Sequence, residues 1–118
     1  MNKVQTVEEI QSILQGRGLD IDYSEDYEGI PIDIHAENPD GTSNFFIYVN
    51  EDTTNFGHVS NLWNIKKHNT NIEKKGCNYI IIDDKEPTPT AKLAANEKGI
   101  LLLKDANQLN ARLEELLE

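Results

Sequence analysis

The chain has 118 residues, 37% of them hydrophobic, which is enough for one core and too little for two, so a single domain over residues 1–118 is expected. No apolar run approaches the roughly 18 residues that cross a bilayer, and MNKVQTVEEI lacks the apolar centre of a signal peptide; no membrane association and a cytoplasmic location follow as expectations. The formal net charge of −10 is uneven: residues 1–59 hold 12 acidic and 2 basic side chains, residues 60–118 hold 9 of each, and such a first half disfavours a general phosphate-binding surface.

In chain order, Thr6 with Glu9 forms a capping box, and Val7, Ile10, Ile13 and Leu14 make one apolar stripe, predicting a helix from about 6 to 16 that ends at Gly16 and Gly18. Leu19 to Tyr23 alternates with period two, and after SEDYEG so do Ile30, Ile32 and Ile34, predicting two adjacent strands. NPDGTSN supplies a turn centred on Asp40-Gly41, and FFIYVN follows as a third strand, hairpinned to the second. From Phe56 to Lys75 a broad helical face carries Phe56, Val59, Leu62, Trp63 and Ile72, with Gly76 in the C-cap place. Tyr79 to Ile82 reads as a strand covered on both faces, beside Cys77 as a small buried hydrophobe. Thr88-Pro89 starts a short helix that Gly99 ends, Ile100 to Leu103 is the last strand, and Asp105 caps a helix with Leu109, Leu113, Leu116 and Leu117 on one side. The order is α-β-β-β-α-β-α-β-α, an α/β mixed sheet flanked by helices.

In that order the chain resembles the restriction-endonuclease-like superfamily, also called PD-(D/E)XK nucleases. VEEIQSILQGRGLDIDYSEDYEGIPIDIHAE looks like the opening of archaeal Holliday-junction resolvases and Mrr-type domains. GCNYIIIDDKEPTPTAKLAANEKGILLLKDANQL is similar to their strand, small-residue helix, short strand and leucine-rich last helix. The resemblance implies an Asp on one hairpin strand and a Glu on the next that hold a divalent metal, with a Lys two residues beyond the Glu that positions or activates water. Residues i and i+2 of a strand point to one side, which is why that spacing serves the chemistry.

By resemblance Asp33 takes the Asp place, and Tyr48 and Asn50 take those of Glu and Lys. A phenol is a poor ligand for Mg²⁺, and a neutral amide neither accepts a proton as a base nor stabilises charge as an ammonium does. Two of the three catalytic functions are thus missing, and no cofactor is expected. An active site would need migrated residues, for which Glu37, Glu51, Lys66 and Lys67 are candidates, with Mg²⁺ or Mn²⁺ on Asp33 and the backbone carbonyl of Val49. Glu51 faces away from Tyr48 and Asn50 unless a bulge intervenes. Glu8 and Glu9 lie near a place some resolvases use for a further metal-site Glu, but Glu9 is explained as a capping residue.

Other residues point less to chemistry. His35, His58 and His68 lack metal-ligand spacing, and His35 reads as a supporting or surface residue. Lys66, Lys67, Lys74 and Lys75 read as a solvated helix face, and Trp63, Tyr27 and Tyr79 as core or rim aromatics with no interleaved basic residues. The expectation is a nuclease-fold domain without catalysis, acting through a homodimer, a protein partner or nucleic acid. A metal-dependent DNA endonuclease with rearranged residues is the first alternative, and a non-catalytic nucleic-acid binder using the Lys66 to Lys75 helix is the second.

Overall fold

The computed structural model of the protein describes residues 1–22, 30, 32–74 and 76–117. The elements are α1 (Lys3–Gly16), β1 (Asp20–Asp22), β2 (Ile34–Glu37), β3 (Asn44–Val49), α2 (Phe56–Asn71), β4 (Cys77–Ile82), α3 (Pro89–Lys98), β5 (Ile100–Leu103) and α4 (Ala106–Leu116). Their order is the one the sequence predicts. The strands form one sheet in the order β1-β2-β3-β4-β5. β1, β2 and β3 pair antiparallel, while β3, β4 and β5 run parallel, joined by the crossover helices α2 and α3.

Side chains alternate across the strands, so the sheet has two apolar faces. Phe45, Ile47, Val49, Ile80 and Ile82 pack with Ile10 and Leu14 of α1 and Leu109 and Leu113 of α4. Phe46, Tyr79 and Ile81 pack with Val59, Leu62 and Ile65 of α2 and Ala91, Ala94 and Ala95 of α3. The tyrosine is core: the Asn69 amide donates to its hydroxyl at 3.0 Å, and burial pushes its pKa well above the phenol range. His35 is buried too, stacked on Phe46 with centroids 4.4 Å apart, which corrects its surface reading. Cys77 is half-buried against this face. Among the described residues, no helix is long and apolar enough to cross a membrane.

Several boundaries differ from expectation. Helix α1 starts one turn early because the Asn2 side chain accepts the Gln5 N–H at 3.1 Å, so Thr6 lies inside the helix and the Thr6–Glu9 capping box does not form. Strand β2 begins only at Ile34, and Ile32 packs on the α2 face while Ile34 packs on the α1 face. Residues two apart in a strand share a face, so the chain turns at Asp33 rather than running straight from Ile30. Helix α2 ends at Asn71, where Glu73 adopts a left-handed φ of 58°. Gly76 is therefore no helix cap. Its φ is 62°, and a β-carbon there would stand 1.8 Å from the Thr42 carbonyl oxygen, so the hairpin turn packs directly on its backbone. Tyr23, Tyr27 and Lys75 lie outside the described residues.

Candidate functional site

The site lies at the carboxyl ends of β3 and β4, where open sheets with parallel strands place their ligands. The Asp33 N–H donates to the Ile47 carbonyl at 3.0 Å, which holds the bend against β3. Beyond this point the backbone ladder stops and the side chain takes over: Val49 N–H donates to Asp33 Oδ2 at 2.7 Å. Lys3 Nζ stands 3.1 Å from Asp33 Oδ1. A lysine in the first turn of a helix is disfavoured by the helix dipole, and the carboxylate offsets that. The same ammonium lies 5.0 Å from the centre of the Tyr48 ring. Lys3 thus belongs to the site although it is thirty positions from Asp33; the Asn2 cap is the local signal that places it there.

Tyr48 and Asn50 point to one side of β3, as i and i+2 require. The Tyr48 hydroxyl donates to Asn50 Oδ1 at 3.4 Å, and its ring stacks on His58 with centroids 5.8 Å apart. Burial raises the Tyr48 pKa; Lys3 opposes this, while Asp33, Asp52 and Asp83 raise it further. The phenol stays neutral near pH 7. Asn50 is 1% exposed and fully engaged. Its Oδ1 also accepts the Asp52 N–H at 3.1 Å, and its Nδ2 donates to Thr54 Oγ1 at 3.1 Å. His58 Nδ1 is 3.4 Å from that Nδ2 and accepts the Asn55 N–H at 3.0 Å, which puts the ring proton of a neutral His58 on Nε2.

Asp83 completes the network. It is buried, and its Oδ2 accepts from both the N–H and the hydroxyl of Thr54, at 2.8 and 2.7 Å, while Oδ1 accepts the Lys85 N–H at 2.9 Å. The amide in the expected lysine place therefore ties the loop after β3 to the end of β4. A cleft of about 280 Å³ opens beside Thr54, Asp83 and Leu103, bordered by Lys85, Lys92 and Lys104.

The other candidates stand apart from Asp33. Glu37 lies at the far end of β2, opposite Asn44, about 13 Å along the strand at 3.3 Å per residue. The Glu51 side chain is exposed, and its carbonyl accepts from Lys85 Nζ. Lys66 donates to the Lys98 carbonyl at 2.7 Å, near the opposite ends of β4 and β5, and Lys67 is exposed on the same stretch of α2. Trp63 corrects an expectation, because basic residues do flank it: Lys67 Nζ lies 5.7 Å and Lys98 Nζ 5.1 Å from its ring centre. Among the described residues no three His, Cys, Asp or Glu side chains gather closely enough to hold a metal ion.

Neither a family model nor a curated protein sequence matches the chain. Solved structures do. A repair endonuclease from Pyrococcus abyssi aligns over 88% of this chain with a TM-score of 0.64 and 13% identity. EndoMS in complex with dsDNA aligns over 82% with a TM-score of 0.61 and 13% identity, and apo EndoMS over 84% with 0.61 and 15%. The match spans less than half of each of those chains, 43–47%. Over most of its length this chain therefore has the restriction-endonuclease-like fold of those repair endonucleases.

Proposed function

We propose that this is a nuclease-fold domain without cleavage activity, working by association with a second copy, a protein partner or nucleic acid. The observation that carries this reading is the Lys3–Asp33 pair: the one carboxylate in the expected catalytic position already accepts from an ammonium and from a backbone N–H. The residues around it do not fit a divalent cation. Mg²⁺ and Mn²⁺ favour hard oxygen ligands, carboxylates above all, whereas Tyr48 is a neutral phenol, the Asn50 amide is committed to its neighbours, and Lys3 repels a cation. Incubating the protein with supercoiled, linear and branched DNA in Mg²⁺ or Mn²⁺ should give no cleavage. Sedimentation should reveal self-association, or affinity capture a partner.

A second reading, a metal-dependent DNA endonuclease with rearranged residues, draws on the same contact, since a lysine beside an aspartate is what such chemistry uses. Cleavage that disappears in both Asp33→Ala and Lys3→Ala would establish it and end the first reading. DNA is bound by EndoMS in one of the similar structures, which favours nucleic acid among the associations considered.

A further inference from the structure

We propose that the outer face of α2 around Trp63 binds single-stranded nucleic acid. The chain holds 21 acidic residues, yet positions 53–72, which include all of α2, hold none. Trp63, Lys66, Lys67, Thr70 and Asn71 follow the i, i+3, i+4, i+7, i+8 spacing of one helical face and line a groove of about 270 Å³. Lys98 of α3 reaches over the Trp63 ring, and the bond from Lys66 Nζ to its carbonyl fixes the two helices together there. Among the described residues no ion pair uses Lys66, Lys67 or Lys98.

Two ammonium groups, those of Lys67 and Lys98, stand over a half-buried aromatic ring and have no carboxylate partner, which provides what a nucleic-acid strand needs. A base stacks on the ring and neighbouring phosphates take the ammonium groups, which hold the ring only by weak exposed cation–π contacts and are free to exchange. A duplex keeps its base faces covered, and an acidic peptide would use the lysines without the ring. The patch lies toward the start of β4 and β5, away from Asp33, so the inference goes beyond the reading of the inactive site and does not rest on it.

Trp63 is the chain's one tryptophan, so its fluorescence reports on this face alone. Titration with an oligothymidylate of about 12 nucleotides should quench it. With about two phosphate contacts and a slope near −0.7 each, affinity should fall about 7-fold between roughly 50 and 200 mM salt. Replacing Lys67 and Lys98 together by Gln should reduce the slope from about −1.4 to near zero. Trp63→Leu, followed by anisotropy of a labelled strand, should weaken binding about 10-fold. The proposal is overturned by an unchanged Trp63 signal at low salt, or by equal responses to duplex DNA or polyglutamate. DNA cleavage in Mn²⁺ would refute the inactive-site reading alone, so the two failures are distinguishable.

Discussion

Asp33→Ala distinguishes a carboxylate that supports the fold from one kept for chemistry. The substitution leaves the N–H of fully buried Val49 without its acceptor, which costs about 1–3 kcal/mol. It also removes the partner of Lys3; both groups are partly exposed, so that ion pair adds less than about 1 kcal/mol. The sum, about 1–4 kcal/mol, should lower Tm by roughly 10 °C in a domain of this size. Asp33→Asn keeps an acceptor for Val49 and should cost about half as much. Urea unfolding followed by Trp63 fluorescence reads both, and a cycle with Lys3→Met should return a coupling of up to about 1 kcal/mol. An Asp33→Ala protein as stable as wild type, or more stable, would refute the reasoning. It would mark Asp33 as a residue held at the expense of stability, as catalytic groups often are.

Asn50→Lys, which restores the residue type the resemblance expects, should destabilise by about 2 kcal/mol or more, because a long cation enters a 1%-exposed position and breaks the links to Thr54 and Asp52; thermal unfolding checks this. Gly76→Ala should cost at least about 3 kcal/mol or prevent folding, since the left-handed φ and the Thr42 carbonyl both exclude a β-carbon, whereas Glu73→Gly should be neutral or stabilising by up to about 1 kcal/mol; denaturant midpoints compare them. Tyr48 and Tyr79 have pKa values raised by burial, so the folded state holds these protons more tightly than the unfolded chain does. Their contribution is fully present below about pH 10 and is lost as pH rises through the folded pKa values; spectrophotometric titration should find Tyr48 ionising above the ordinary phenol range and Tyr79 ionising only as the chain unfolds.

Local chemistry was legible wherever a few adjacent residues settle the outcome. Thr88 caps α3, Pro89 fits its first turn and Gly99 takes the left-handed φ of 69° after it, because each requirement is met by a residue's own backbone preference. The apolar runs of β4 and β5 and the leucine spacing of α4 likewise mark their elements without reference to partners. Glycine misleads when its partner is distant: Gly76 has the look of a cap, but the Thr42 carbonyl requires it there.

The sequence by itself determined the element order, the Asp40-Gly41 hairpin and the side of β3 shared by Tyr48 and Asn50, since all follow from periodicity and turn chemistry over short spans. Only the tertiary structure decided what surrounds Asp33. Lys3 reaches it because α1 begins a turn early and packs beside the hairpin, and Asn50 meets Thr54, which meets Asp83, because parallel pairing aligns the ends of β3 and β4. Contacts between residues thirty positions apart depend on how elements pack, and no pattern in adjacent residues records that.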